Sequence, residues 1–235
     1  MRVKHSAFTK GLIVMITIEH IKKNYKKTNV LTDVCLETSE GKCIGILGSN
    51  GSGKSTLFSI LAGILKADGG SFTYNGIDML SNEKERSKIL GYVPQSTPLF
   101  EELTAIDNLR LWYSKGDLEY QLDDGVLAML GVTSFINTPV YKMSGGMKKR
   151  LAIGCAVAHK PKILLLDEPS AALDLVCKER ISNYLLEYKE NGGTILLATH
   201  DIQEIPLCDK LYILKEGVLH PYQYDGNVHR LAGNL

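Results

Sequence analysis

The chain has 235 residues, 44% of them hydrophobic and 23% charged, which suits a soluble globular protein built on one α/β domain with room for a smaller lobe. Its formal net charge of +1 gives no global field to hold nucleic acid or a membrane surface, and neither is expected as a charge-driven partner. No apolar run approaches the roughly 18 residues that a membrane-spanning helix needs. The short basic runs Lys22-Lys23, Lys26-Lys27 and Lys148-Lys149-Arg150 read as solvated faces. The cysteines at 35, 43, 155, 177 and 208 form no C-x-x-C pair, which argues against a disulfide framework and a zinc site. Reduced thiols follow, with Cys177, beside Lys178 and Glu179, expected to be the most exposed.

Residues 1–14 place basic residues before an apolar stretch and so imitate a signal peptide. The apolar core is short, runs into Glu19-His20 and is followed by no A-x-A site, so the segment reads as an extension, with Met15 as a candidate start. A first strand is expected at Ile16-Thr17-Ile18. Further strands are expected at Cys43–Leu47, Lys88–Val93, Ile163–Leu166, Thr194–Ala198 and Leu211–Leu214. The unbroken apolar run at 163–166 fits a strand buried on both faces. Between Gln95 and Lys160 the pattern predicts helices at Ala105–Tyr113, Asp123–Leu130 and Gly145–Ala158 and no strands, which suggests a helical lobe inserted into an α/β core.

The stretch Gly48-Ser49-Asn50-Gly51-Ser52-Gly53-Lys54-Ser55-Thr56 carries the strongest chemistry. It lies between an apolar strand and a helix that ends at Gly63, the context of a phosphate-binding loop. Glycines at 48, 51 and 53 let successive N–H groups point inward, and the helix start adds unpaired donors and a positive dipole end. Lys54 would reach the β- and γ-phosphates, and the Ser55 hydroxyl would ligate Mg²⁺.

Two more polar clusters fall just past apolar strands, Asp167-Glu168 and His200, and ligands of open parallel sheets bind beyond the carboxyl ends of the strands. Asp167 ends an apolar run, where an unpaired carboxylate is costly and a bound cation is the natural partner. Glu168 could orient and deprotonate a water, and His200 could contact a γ-phosphate; a structural Asp-Glu pair opening the turn at Pro169 is the plain alternative. His5, His20, His159, His220 and His229 have no such context. Ser144-Gly145-Gly146 opens another helix with close backbone access, either as an anion site or simply as a helix cap.

With these motifs in order, the chain from Met15 to Leu219 closely resembles the ATP-binding cassette family, the nucleotide-binding subunits of ABC transporters. The resemblance rests on the Walker A loop at 48–56, a Q-loop ending at Gln95, the signature MSGGM at 143–147, the Walker B run ending at Asp167-Glu168, a D-loop ending at Asp174, and the switch His200. It implies an α/β P-loop NTPase core (15–95 and 159–235) with a mainly parallel sheet, an antiparallel β part near the N-terminus and a helical subdomain over 96–158. It also implies ATP and Mg²⁺ as ligands, with Tyr25 stacked on adenine and Gln95 sensing the Mg²⁺ held by Ser55 and Asp167. Two chains, alike or sister, would pair head to tail, each phosphate loop facing Ser144, Gly145 and Gly146 of the other. A separate transmembrane subunit would dock near Ser96–Glu102, with Leu99 and Phe100 exposed, on the cytoplasmic face of a membrane.

The form SGGMKKRL and the segments at 100–104 and 107–109 look like the branch that serves drug, antibiotic and polysaccharide exporters. Met143, Met147 and Leu175 depart from the commoner Leu, Gln and Pro. A soluble single-cassette ATPase, such as one serving iron–sulfur assembly, is the alternative.

Overall fold

The computed structural model describes residues 16–26, 28–171 and 173–235; the expected extension at 1–14 and the candidate start Met15 lie outside them. Its elements in chain order are β1 (Ile16–Tyr25), β2 (Thr28–Thr38), β3 (Cys43–Leu47), α1 (Lys54–Leu61), β4 (Gly69–Tyr74), β5 (Ile77–Asp78), α2 (Glu83–Ile89) and β6 (Leu90–Val93). There follow α3 (Ala105–Arg110), α4 (Lys115–Asp123), α5 (Val126–Met129), α6 (Gly145–Ala156), β7 (Ile163–Asp167), α7 (Leu175–Glu190), β8 (Thr194–Thr199), β9 (Lys210–Lys215), β10 (Val218–Tyr222) and α8 (Val228–Asn234).

The strands form one sheet in the order β5-β4-β1-β2-β10-β9-β3-β8-β7-β6. The half from β9 to β6 is parallel, whereas β5, β4, β1 and β2 pair antiparallel, as the sequence leads one to expect. The unbroken apolar runs explain the parallel half. Along β7, Ile163 and Leu165 pack into one core with Phe58 and Leu57 of α1, while Leu164 and Leu166 pack on the opposite face with Leu151 and Ile153 of α6. β8 divides in the same way, Leu196 and Ala198 to the first core, Ile195 and Leu197 to the second. A fully buried Leu or Ile side chain contributes about 1.5–3 kcal/mol, so these strands, buried on both faces, anchor the centre of the sheet.

β3, β8 and β7 are in register, with Leu47 opposite Thr199 and Asp167 opposite Ala198. Their carboxyl ends therefore finish level, and everything that follows them in sequence starts at one edge.

Several boundaries differ from the sequence expectation. Lys88 and Ile89 belong to α2, whose N-cap Asn82 accepts a hydrogen bond from the Glu85 amide, so β6 begins only at Leu90. β1 runs on to Tyr25, because pairing with β2 and β4 carries it past the apolar triplet. The helix expected at Asp123–Leu130 is shorter, α5 from Val126 to Met129, because the separate helix α4 ends at Asp123 and the chain turns through Asp124 and Gly125. From 94 to 162 the chain forms helices and turns with one isolated bridge, Thr104 to Pro139. Among the described residues, no helix is long and apolar enough to cross a membrane.

Candidate nucleotide site

The loop from Gly48 to Gly53 leaves β3 and enters α1 through two left-handed residues, Gly51 (φ 81°) and Gly53 (φ 108°). At Gly53 the positive φ disfavours any side chain, and a Cβ would also crowd Leu31 Cδ2 at 3.0 Å and the Val30 carbonyl oxygen at 3.2 Å. Lys54, first in α1, is buried and turns back over the loop, its Nζ donating to the carbonyls of Gly48 (2.8 Å) and Ser49 (3.2 Å). Burial lowers the ammonium's pKa below its ordinary value, and the nearby charges of Glu168 and Asp167 oppose that shift. Ser52 Oγ is buried in the loop and has no hydrogen-bond partner among the described residues.

Asp167 and Glu168 leave the end of β7. Glu168 has a positive φ of 50° and its amide donates to Ala198 O at 2.9 Å, which locks the turn against β8. A non-glycine residue in that region costs on the order of 1–3 kcal/mol, and such strain clusters at working sites. Its carboxylate is gripped from both sides. Gln95 Nε2 donates to Oε2 at 2.9 Å, His200 Nδ1 lies 3.1 Å from Oε1, and Lys54 Nζ stands 3.9 Å from Oε1. Glu168 is buried, while the His200 side chain is about half exposed.

Asp167 is 1% exposed, and its Oδ1 has no hydrogen-bond partner among the described residues. Burial raises its pKa above the usual carboxylate value and the Glu168 charge adds to this, against the Ser55 hydroxyl, Lys54 and Lys149. A buried carboxylate oxygen without a donor, beside a hydroxyl, is a hard-oxygen arrangement that suits Mg²⁺.

A cleft of about 520 Å³ is lined by Val30, Asn50, Gly51, Gly53, Lys54, Ser55, Thr56, Gln95, Glu168 and His200. The three clusters singled out in the sequence thus meet in one place. Other expected residues stand apart from it. Ser144 is the N-cap of α6, its Oγ accepting from the Met147 amide at 3.2 Å; Ser144 and Gly145 are exposed, and neither they nor Gly146 line the cleft. Asp174 caps α7 by accepting from the Cys177 amide at 2.9 Å, which holds its carboxyl below the usual range. Tyr25 ends β1, 46% exposed and outside the cleft lining, with Lys23 Nζ 5.6 Å from its ring centre.

Three sequence expectations are corrected. Cys177 is buried, because α7 packs it against Gly146, while Cys35 is the exposed cysteine. Lys149 and Arg150 are not part of a solvated face: each is buried and donates to backbone carbonyls, Arg150 Nη1 to Leu130 O at 2.7 Å and Lys149 Nζ to Pro94 O and Gln95 O at 3.0 and 3.1 Å. The run conceals this because its partners lie some 20 and 55 residues away. Leu99 packs against the core and only Phe100, 56% exposed, stands clear.

A glycine loop wrapped by a lysine at the head of a parallel sheet, with an acidic pair ending the next strand but one, defines a P-loop nucleoside triphosphatase. The family model described as "ABC transporter" matches residues 31–171. The chain belongs to that family, as its ATP-binding and ATP-hydrolysing cassette. It is 32% identical over 209 residues to the linearmycin resistance ATP-binding protein LnrL of Bacillus subtilis, covering 86% of this chain and 67% of that protein. It is 30% identical to the lantibiotic transport ATP-binding protein SrtF of Streptococcus pyogenes, covering 94% and 96%. Among solved structures, the dimeric, ADP- and phosphate-bound post-hydrolysis cassette MJ0796 superposes with a TM-score of 0.80 at 29% identity, over 89% of this chain and 98% of that one.

Proposed function

We propose that this cassette powers export through a separate transmembrane subunit, in a transporter of the drug or antibiotic kind, and that two cassettes close on ATP to do so. What supports the chemical reading is one observation above the others: Glu168 held between Gln95 and His200, within 3.9 Å of Lys54.

The loop amides from Gly48 to Thr56 and the Lys54 ammonium bind the β- and γ-phosphates; Lys54 gives up its loop carbonyls for phosphate oxygens. Glu168, its carboxylate fixed in direction by Gln95 and His200, orients the attacking water and takes its proton. His200, with a half-exposed ring, contacts the γ-phosphate. Ser55, Asp167 and Gln95 would hold Mg²⁺, whose charge on the phosphate oxygens lowers the cost of the developing negative charge. The exposed Ser144 and Gly145, with Gly146 behind them, complete the site of a second cassette, donating to its γ-phosphate. Asp174 sits at the same junction, and Tyr25 stacks on the adenine, a contact of about 1–3 kcal/mol.

Support for export comes from relatives named for linearmycin resistance and lantibiotic transport. The division into a core (15–95 and 159–235) and a helical subdomain (96–158) follows the run of helices between β6 and β7. Phe100, exposed on that insertion, supports docking of the membrane subunit there, with the cassette on the cytoplasmic face. Purification of the tagged chain from detergent-solubilised membranes of its own cell tests this reading. A multi-span protein should co-purify; recovery only in the soluble fraction would overturn it.

A further inference from the structure

Lys149 sits one turn into α6, and it is 5% exposed. Lysines are seldom this buried without a carboxylate partner. Here the hydrogen bonds of its ammonium go to two main-chain oxygens, Pro94 O at 3.0 Å and Gln95 O at 3.1 Å. Those carbonyls bracket the Cα of Gln95, one just before it and one just after. Pinning both peptide planes fixes the direction in which the Gln95 side chain leaves the backbone, and its amide then meets Glu168 at 2.9 Å. Residues 94–103 lie in neither helix nor strand, so no helix or sheet ladder fixes the Gln95 backbone. Burial lowers the ammonium's pKa, and Asp167, Glu168 and Glu204 oppose the shift, so Lys149 also contributes positive charge behind the acidic pair.

We propose that Lys149 is a positioning residue for hydrolysis: it fixes the Gln95 backbone so that the Gln95 amide orients Glu168, and it ties the Ser144–Gly146 end of α6 to the acidic pair of the same chain. Any displacement of α6 when the opposing cassette engages Ser144 is then passed to Gln95 through a single ammonium. A water-facing lysine could not transmit it. The inference rests on the roles given above to Gln95 and Glu168.

The test is a double-mutant cycle read as ATP turnover and ATP affinity. Lys149→Met should lower kcat by about ten- to a hundredfold, as a misplaced catalytic group does, with the ATP dissociation constant changed by less than about threefold. Lys149→Arg, which keeps charge and donors, should recover most of the rate. In a Gln95→Ala background, Lys149→Met should cost less than about twofold more, because residues acting as one unit are not additive. Independent, multiplying losses would overturn the proposal, as would a loss of ATP affinity as large as the loss of rate. Should Lys149→Met not fold, Lys149→Gln takes its place under the same criterion. If Gln95→Ala alone left kcat unchanged, the reading of the site would fail before the question of Lys149 arose.

Discussion

Gln95 Nε2 donates to Glu168 Oε2 at 2.9 Å across the ends of the neighbouring strands β6 and β7. Hydrolysis asks more of this carboxylate than ATP binding does. Glu168→Gln keeps the size of the side chain and loses its capacity to accept a proton. Its kcat should fall by about 10²–10⁴-fold, while ATP affinity is retained. With ATP bound and unspent, the protein should elute from gel filtration as a dimer in ATP and as a monomer in ADP. A fully active Glu168→Gln would remove this residue from the chemistry.

Asp167 sets stability against function. Its pKa is raised in the folded protein, so the ligand-free fold binds a proton there more tightly than the unfolded chain does. The sign follows: the proton's contribution to the stability of the ligand-free protein is fully present below the ordinary carboxylate value of the unfolded chain and is lost as pH rises from there through the raised folded value. Lys54 and Lys149 favour the charge, but burial and Glu168 outweigh them. Asp167→Asn should therefore raise the thermal midpoint of the ligand-free protein at neutral pH, by about 2–4 °C for each kcal/mol recovered. The same variant should lose the stabilisation that ATP with Mg²⁺ gives the wild type. Scanning calorimetry with and without the nucleotide measures both.

Gly146 and Cys177 are a matched pair. A Cβ on Gly146 would lie 2.7 Å from Cys177 Sγ, a distance that packing does not tolerate. Gly146→Ala should destabilise by about 1–3 kcal/mol through overpacking. Adding Cys177→Ala removes the sulfur and should recover much of that loss, so the double variant should resist urea better than Gly146→Ala alone. Equal midpoints for the single and double variants would count against the contact.

The contrast between Lys54 and Lys149 shows where sequence reading succeeds and where it stops. Lys54 is legible because its partners are local: the strand, the glycines and the helix that hold it lie within a few residues. The same holds for β3, β7 and β8, whose continuous apolar runs announce burial on both faces, and whose register then brings Glu168 and His200 to the loop. Lys149 and Arg150 look solvated in sequence because their acceptors are carbonyls distant along the chain, and a carbonyl carries no side-chain signal. Cys177 looks exposed beside two charged residues, yet the turn of α7 that carries it faces Gly146. α4 went unread because its sequence, KGDLEYQLD, buries only Leu118 and so has almost no apolar face.

Asn108 offers a last test, directed at the surface assigned to the membrane partner. It is 2% exposed on α3, and its amide group is satisfied three times: Oδ1 accepts from the Phe100 amide at 2.9 Å, and Nδ2 donates to Phe100 O at 3.1 Å and to Thr104 O at 3.0 Å. The side chain thus holds both main-chain groups of Phe100 and fixes the loop that presents the exposed ring. Asn108→Ala strands these buried groups, at about 1–3 kcal/mol for each left unpaired, and frees the Phe100 loop. Asn108→Asp keeps the acceptor for the Phe100 amide but turns a second oxygen toward two carbonyls, so it should be nearly as damaging. Both variants should show faster hydrogen exchange at the Phe100 amide and a lower urea midpoint. ATP affinity should hold, because the phosphate loop lies between β3 and α1, away from the helical insertion that carries Asn108 and Phe100. Membrane-partner capture should fall in step with the exchange rate; capture that stayed intact while Phe100 exchanged freely would move the docking surface elsewhere.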